Sequence, residues 1–199
     1  MKTKLTLLAL STTLLAVGCS EKATTPPTNS GDFPIAVSRN WVPSGYMGDI
    51  TGIVVTSTAG ACPTRASTTA VGDCYKVVFT PQGQGWGGVF WLYPANNWGT
   101  LSAGKAVPAG ATKVTFSAYA ETDKQVVSFQ VGGVNFDGTS GTYSDSLKVA
   151  TDAQLTTGWK TYSLDLTSNT RPYKNVIGGF EFSVNTAATF YLDDIKWTK

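Results

Sequence analysis

The chain has 199 residues, of which 14% are charged, and it contains no histidine. The lack of histidine excludes Ser-His-Asp and Cys-His catalysis and His-ligated zinc sites. Of the 15 basic residues, Lys2 and Lys4 lie in a predicted leader, which leaves 13 against 13 acidic residues. A neutral chain of this kind lacks the basic surplus of a nucleic-acid-binding protein.

Residues 1–18 have the pattern of a secretory signal, because Lys2 and Lys4 precede an apolar run that ends in small residues. The run is too short to span a bilayer. Cys19 follows directly, and this arrangement resembles a bacterial lipoprotein signal, in which the cysteine carries the lipid. The resemblance implies an anchor in the bacterial cell envelope, at the outer membrane, because Ser20 differs from the aspartate of inner-membrane retention. An ordinary signal peptide with an incidental Cys19 is the alternative.

Residues 19–32 are poor in apolar side chains and rich in Thr, Ser and Pro, which predicts a flexible tether after the lipidated cysteine. If Cys19 carries lipid, Cys62 and Cys74 remain as an even pair in an oxidising compartment, where we expect a disulfide. Closing a loop of about a dozen residues should stabilise the fold by roughly 3 kcal/mol in the chain-entropy model.

Residues 33–199 form one predicted domain, an all-β, two-sheet antiparallel sandwich or jelly roll with no substantial helix. Its segments are rich in Val, Ile, Thr, Tyr and Phe, alternate with period two, and are separated by clusters of Gly, Asn, Asp and Pro. The predicted strands are 50–57, 75–80, 88–93, 112–120, 125–134, 147–150, 160–166, 176–185 and 189–197.

Two of these strands alternate cleanly between an apolar side for the core and a polar side left over. The apolar sides carry Val127, Phe129 and Val131 in one strand and Phe180, Phe182 and Val184 in the other. The polar sides carry Ser128 and Gln130, and Glu181, Ser183 and Asn185. We expect Gln130, Glu181 and Asn185 to be able to hold hydroxyl groups of a ligand.

The segment GWGGVFWLYPANNWG, residues 85–99, concentrates aromatic side chains between glycines and asparagines. In its strand, Phe90 and Leu92 share one face, whereas Trp91 and Tyr93 share the other. With Phe90 and Leu92 in the core, Trp91 and Tyr93 are expected on the solvent side, where exposed aromatic rings mark a binding surface. Burial of these rings by covering loops or a second layer is the alternative.

Two further patterns allow a purely structural interpretation as well as a functional one. The glycines of residues 83–88 satisfy G-x-G-x-x-G, but strands flank them on both sides, so we predict a hairpin turn and no nucleotide site. The pair Asp193 and Asp194 interrupts an apolar last strand. Either a structural calcium ion holds these carboxylates, or they lie at a solvated strand end or a bulge.

Four segments together resemble carbohydrate-binding jelly-roll modules of the galactose-binding-like superfamily: FYLDDIKW, NVIGGFEFSVN, VPSGYMGD and the aromatic segment. The resemblance covers residues 33–199. It implies a sandwich that binds oligosaccharide, often with structural Ca²⁺, for which Asp193, Asp194 and Asp49 would supply oxygens. The sugar platform that it implies consists of Trp91, Tyr93 and Trp98. The full set of predicted sugar-binding residues adds Trp86, Asn96 and Asn97 of the aromatic segment and the polar residues Gln130, Glu181 and Asn185.

The sequence therefore predicts a lipid-anchored, monomeric glycan-binding protein that is not an enzyme. Glycoside hydrolysis needs two carboxyl groups near each other, and no second carboxyl can be placed beside Glu181 from the sequence. Two alternatives remain open. One is a structural or adhesive cell-envelope sandwich that binds protein partners through the same aromatic surface, and the other is a glycoside hydrolase or lyase.

Overall fold

The computed structural model describes residues 33–58 and 60–199. The predicted signal 1–18, the lipidation site Cys19 and the tether 19–32 lie outside the described residues. Within the described part, no helix is long and apolar enough to cross a membrane.

The described residues form strands connected by turns and three short 3₁₀ helices, Val37–Arg39, Ile50–Gly52 and Leu166–Ser168. The strands are β1 Ile35–Ala36, β2 Val42–Gly48, β3 Ile53–Thr56, β4 Tyr75–Phe79, β5 Gly87–Leu92, β6 Lys105–Ala106, β7 Lys113–Ala120, β8 Gln125–Gly132, β9 Lys148–Leu155, β10 Lys160–Asp165, β11 Asn175–Val176, β12 Gly178–Val184 and β13 Ala188–Thr198.

Two antiparallel sheets make up the sandwich. Sheet A has the order β10-β7-β13-β4-β3, with β1 paired to β13, and sheet B has the order β2-β5-β12-β8-β9. Strands β6 and β11 form a small separate pair. The fold prediction is confirmed: the domain is an all-β, two-sheet antiparallel sandwich of the jelly-roll type, without an α-helix among the described residues.

The core lies between the sheets, and aromatic side chains of β12 occupy its centre. Phe180 contacts Phe116 of β7 with ring centres 5.1 Å apart, and Phe182 contacts Phe190 of β13 at 5.1 Å. These residues are fully buried. Because alternate residues of a strand point to opposite faces, this packing turns the polar residues of β12 away from the core. The alternation predicted for β8 and β12 is therefore confirmed.

Strand β2 is the main element that the sequence pattern does not predict. It contains Pro43, Gly45 and Gly48, residues that weaken a strand pattern, and it lies at the edge of sheet B, where proline is tolerated. Gly45 is required by its neighbours, because a Cβ there would lie 2.8 Å from Leu92. Strand β9 is longer than predicted and extends to Leu155.

The predicted disulfide between Cys62 and Cys74 is confirmed. The loop that it closes also docks onto β13 through Arg65, which donates two hydrogen bonds to the Asp193 carboxylate, at 2.9 and 2.7 Å. The backbone N–H of Ala66 donates to the same carboxylate at 2.8 Å. A covalent bond and a buried carboxylate therefore hold the same loop.

Replacing both cysteines (Cys62→Ser with Cys74→Ser) is expected to lower the free energy of unfolding by about 3 kcal/mol, because the denatured chain gains loop entropy. Urea denaturation under oxidising conditions measures the change, and wild-type protein with reductant is the control. An unchanged free energy of unfolding would contradict the prediction and show that the contacts of Asp193 already close the loop.

Candidate functional site

Trp91 lies in the core, so the prediction that it forms an exposed platform is wrong. Its exposed fraction is 0%. Its ring makes edge contacts with Tyr75 at 5.0 Å, Phe180 at 5.5 Å and Phe182 at 6.0 Å between ring centres. Such pairs contribute about 0.5–1.5 kcal/mol each beyond the burial of their area. The indole therefore serves the packing of the two sheets.

The error has a physical cause, since both faces of β5 are covered. Phe90 and Leu92 point away from sheet A, yet they are buried in a second apolar cluster with Val134 and Ile177. Met47 of β2 packs against the same cluster. In a strand that is apolar on both faces, alternation separates the two faces but does not say which one meets the core.

Tyr93 and Trp98 are exposed, at 38% and 37%, in the loop that follows β5. The Lys105 ammonium group lies 5.3 Å from the centre of the Tyr93 ring. Trp98 packs edge-on against Phe90, with ring centres 5.8 Å apart. This loop thus presents two aromatic rings to solvent at one end of sheet B. The predicted third ring of the platform, Trp91, is buried in the core and does not belong to this surface.

The two predicted asparagine ligands differ in their surroundings. Asn97 is fully buried, and its amide donates to the carbonyl groups of Tyr93 and Ser102 at 3.0 and 2.9 Å. Its oxygen accepts from the N–H groups of Gly99 and Leu101 at 3.1 Å each. These contacts use the side chain to hold the loop, so Asn97 is not accessible to a ligand. Asn96 is exposed.

The outer face of sheet B, the face turned away from sheet A, carries the polar residues of β8 and β12. The strand register places them in rows across the sheet. In one row, Ser183 of β12 lies beside Gly88 of β5 and Ser128 of β8. Ser128 in turn pairs with Asp152 of β9, and its hydroxyl donates to the Asp152 carboxylate. Three hydrogen-bonding side chains therefore adjoin on neighbouring strands.

A cleft of ≈ 200 Å³ lies on this outer face. Trp86, just before β5, exposes 39% of its surface there. Asn185, which follows the end of β12, is exposed. The residues that line the cleft are Trp86, Val126, Ser128, Asp152, Ser183, Val184 and Asn185. Of the predicted site residues, the structure brings Trp86 and Asn185 together here.

Asp49 fixes the turn that carries Trp86. Its buried carboxylate accepts hydrogen bonds from the backbone N–H groups of Gln82, Gln84 and Gly85 at 2.7, 2.8 and 2.9 Å. Its own N–H donates to the carbonyl of Trp86 at 2.8 Å. Desolvation raises the pKa of Asp49, but the three N–H donors outweigh it, so that the pKa lies below its ordinary value. Asp49 positions the aromatic side of the cleft.

The three residues predicted to hold calcium do not fit that role. Asp193 is fully buried, and its carboxylate accepts hydrogen bonds from the Arg65 guanidinium group and from the N–H groups of Ala66 and Asp194. The guanidinium group thus takes the position that a calcium ion would need. Asp194 accepts from the N–H of Val71 and from Lys196, at 2.8 and 2.6 Å. In residues 33–58 and 60–199, no group of three or more His, Cys, Asp or Glu side chains could hold a metal ion.

Asp193 and Asp194 instead mark an irregularity in β13, as one of the sequence interpretations proposed. The register between β13 and β7 shifts between Asp193 and Lys196, and Asp194 has a positive φ of 54°. A bulge of this kind leaves backbone groups without ladder partners and turns the neighbouring side chains. The two carboxylates bind the loop closed by the disulfide, which explains an acidic pair in an apolar strand.

Glu181 lies on the outer face between β5 and β8, but only 5% of it is exposed. Burial raises its pKa to about 8, against smaller opposing effects of the Ser183 side chain and the Lys148 ammonium group. The Glu181 carboxyl group and the end of the Met47 side chain both lie over Gly88. A Cβ atom on Gly88 would be 3.1 Å from Cε of Met47 and 3.2 Å from Oε1 of Glu181. Glu181 is thus a neutral acid at pH 7, close to Met47 and outside the lining of the cleft.

The sequence analysis did not select Ser128, Ser183, Asp152 and Val126 as ligands. The alternation of β8 and β12 had already assigned Ser128 and Ser183 to the polar side, so a signal for these two was present. Asp152 had none, because its place beside Ser128 depends on the register between β8 and β9. Gln130, predicted as a ligand, is half-buried and donates to the carbonyl of Gly132 at 3.1 Å.

No protein family profile and no curated protein matches the chain. Several solved structures that align with it are carbohydrate-binding modules. The family 11 module from Clostridium thermocellum in complex with a β-1,3-1,4-mixed-linked tetrasaccharide is 17% identical with a TM-score of 0.45, over 78% of this chain and 95% of that chain. The family 30 module of a C. thermocellum cellulosomal cellulase is 16% identical with a TM-score of 0.43, over 84% and 94%.

The Trp91→Ala substitution is expected to lower the free energy of unfolding by about 3–5 kcal/mol, because it removes a fully buried indole. The Trp86→Ala substitution should have little effect on stability, because Trp86 is exposed. Urea denaturation of both variants measures the difference. Equal losses of stability in the two variants would contradict the assignment of Trp91 to the core.

Glu181 should make stability depend on pH. Its folded pKa of about 8 lies above its ordinary value of 4.5, so its stabilising contribution is complete below pH 4.5 and decreases as the pH rises to 8. The slope is at most about 1.4 kcal/mol per pH unit. Burial raises the pKa of Asp145 to about 6, which adds the same trend around that pH, so the contribution of Glu181 is separated by comparison with a variant that lacks its carboxyl group.

The Glu181→Gln variant tests this dependence. Its free energy of unfolding, measured in urea between pH 6 and 8, should fall less steeply with pH than that of the wild type. Parallel curves for the two proteins would mean that Glu181 does not titrate in the expected range. A comparison of slopes is unaffected by any constant change in stability that the substitution introduces.

Proposed function

We propose that this protein binds glycans, without catalysing a reaction, in the cleft on the outer face of sheet B. The observation that carries the proposal is the position of Trp86, an exposed indole beside Ser128, Asp152, Ser183 and Asn185 in one cleft. Small-molecule sites typically combine apolar area with a few polar groups that fix the ligand's orientation.

The chemistry of a sugar matches this lining. A pyranose has an apolar face of C–H groups, which an indole contacts at a low cost in conformational entropy. Its hydroxyl groups both donate and accept hydrogen bonds. The Asp152 carboxylate accepts, the Asn185 amide does both, and the serine hydroxyls adjust to either role. A single stacked ring should give weak binding, with a dissociation constant between micromolar and millimolar, or about 4–8 kcal/mol.

The distribution of carboxyl groups supports the proposal of binding without catalysis. Asp152 is the one carboxylate among the residues that line the cleft. Glycoside hydrolysis by the common mechanisms needs a second carboxyl on the other side of the scissile bond. Glu181 does not line the cleft, since it is buried on the same sheet close to Met47.

In this proposal the domain is carried by the lipidated Cys19 and the tether 19–32 on the bacterial outer membrane. The sequence pattern around Cys19 supports this part of the proposal. Weak sites suit such an anchor, because many copies on one surface bind a polymer with greater avidity than a single copy does.

Titration of the purified protein with a panel of soluble polysaccharides, followed by tryptophan fluorescence and calorimetry, tests the proposal. At least one polymer should bind saturably, and Trp86→Ala should weaken that binding by about tenfold or more, since each 1.4 kcal/mol of lost stacking is a factor of ten. The release of reducing sugars, assayed over the same panel, should stay at the level of buffer.

Two further variants make the test specific for the cleft. Val54 is exposed on β3 of sheet A, so Val54→Ala is a control that should leave binding unchanged. Trp98→Ala compares the cleft with the exposed loop after β5. A loss of binding in Trp98→Ala with full binding in Trp86→Ala would place the site in that loop and reject the cleft. Binding of a protein partner in place of any glycan would favour the adhesive alternative.

A further inference from the structure

Two cationic side chains lie near the same aromatic ring, at the end of the outer face that is opposite the cleft. Phe136 lies in the connection between β8 and β9 and is half-buried. The guanidinium carbon of Arg171 lies 4.5 Å from the centre of its ring, and the Lys148 ammonium nitrogen lies 6.0 Å from it. Both cationic side chains are otherwise exposed.

Among residues 33–58 and 60–199, neither cation forms an ion pair with a carboxylate. In the described part of the chain, the ion pairs are Arg65 with Asp193 and Lys196 with Asp194. Asp137 follows Phe136 directly, but it forms an ion pair with neither cation. Both positive charges lie near the same ring, and an anion bound by both side chains would offset the repulsion between them. The ring contributes a weak attraction to each cation but no negative charge.

The pair adjoins the face that carries the cleft. Lys148 is the first residue of β9 and pairs with Gly132 at the end of β8. A Cβ on Gly133 would lie 3.4 Å from Cγ of Lys148 and 2.5 Å from Nε2 of Gln130, so the two side chains are neighbours. Gln130 in turn pairs with Glu181. The row of Glu181 and Gln130 thus connects the cleft to the cationic pair.

Buried hydrogen bonds hold this end of the sheet in place. The Asp145 carboxylate accepts from the N–H groups of Ile177, Gly178 and Val134 at 2.7, 3.1 and 3.1 Å, which ties the connection carrying Phe136 to β12. The Ser146 hydroxyl donates to the carbonyl of Pro172 at 2.9 Å and so fixes the segment next to Arg171. Lys148, at the start of β9, and Arg171, in the segment before β11, therefore lie next to parts of the chain that are held by hydrogen bonds.

We infer that Lys148 and Arg171, beside Phe136, bind the carboxylate of an acidic sugar in the same glycan chain that stacks another of its rings, several sugars away, on Trp86. The inference rests on the proposed function and names its ligand class, a polysaccharide that contains uronic acid. Arginine is suited to this contact, because its planar group binds a carboxylate through two parallel hydrogen bonds.

The spacing and the charge between the two ends suit such a chain. From Val126 at the cleft to Gly132 beside Lys148, β8 extends about 20 Å, at roughly 3.3 Å per residue. Several sugar rings can bridge this length. Glu181 lies between the ends, and its raised pKa of about 8 leaves it uncharged at pH 7, so it does not repel an anionic ligand.

Matched polymers separate the contribution of the carboxylate from that of the sugar. The purified protein is titrated with polygalacturonate, polyglucuronate and polymannuronate, each beside its neutral form in which the carboxyl groups are reduced to alcohols. At least one acidic polymer should bind about tenfold more tightly than its neutral form at low salt, as expected for two charge-assisted hydrogen bonds. The preference should shrink between about 20 mM and about 200 mM NaCl because salt screens exposed charges.

The double variant Lys148→Gln with Arg171→Gln should lose this preference and keep the affinity for the neutral polymer. Lys160→Gln is the matched control, because Lys160 is also an exposed lysine near an aromatic ring, 5.5 Å from the centre of Tyr162, but on sheet A. It should keep the preference. Dextran sulfate serves as a polyanion without carboxylates and should bind more weakly than the preferred uronate polymer.

The outcomes distinguish the two proposals. Equal binding of acidic and neutral forms, or a preference that survives in the double variant, overturns the inference while leaving glycan binding in the cleft intact. Dextran sulfate binding as tightly as the uronate polymer overturns the assignment to a carboxylate. Failure of every polymer, acidic or neutral, overturns the proposed function and the inference together.

Discussion

The packing of Trp91 against Phe180 and Phe182 determines which face of sheet B is left for a ligand. With these three side chains between the sheets, the intervening residue Glu181 and its neighbour Ser183 must point outward. A shift of β12 by one residue would bring a carboxyl group into the core and expose the phenylalanines. The proposed site therefore depends on a contact inside the core.

Buried carboxylates fix the loops around this sandwich. Asp49 and Asp145 each accept three backbone N–H donors, and Asp193 combines a guanidinium group with two N–H groups. Burying a carboxylate is costly unless such donors surround it. In return, each carboxylate holds a turn that the strands alone would leave free, and Asp49 and Asp145 hold the segments that carry Trp86 and Phe136. The ends of the outer face are therefore organised before a ligand binds.

The sequence predicted the parts of this arrangement that depend on local alternation. The outward side chains Ser128, Glu181 and Ser183 were assigned correctly, because in β8 and β12 they alternate with the buried phenylalanines. The two faces of β5 were assigned wrongly, because Phe90 on one face and Trp91 on the other are both buried. Asp152 joins the cleft through strand register. Asp49 holds the turn between β4 and β5, and because these strands lie in different sheets, the hairpin predicted at residues 83–88 is wrong. A local sequence pattern contains no information on contacts between distant segments. The carboxylates of Asp49, Asp193 and Asp194, which hold loops through hydrogen bonds, were therefore predicted as metal ligands.

The distribution of charge on the outer face also gives the proposed ligand a direction. One end carries the Asp152 carboxylate beside Trp86, and the other carries Lys148 and Arg171 at Phe136. A buried acid in the middle would oppose an anionic chain if it were charged, but burial keeps the Glu181 proton on at neutral pH. A sugar with a carboxylate is repelled at the first end and attracted at the second. A chain that binds in one orientation therefore loses affinity when reversed, and polar residues at the two ends, more than the aromatic ring itself, would select among glycans.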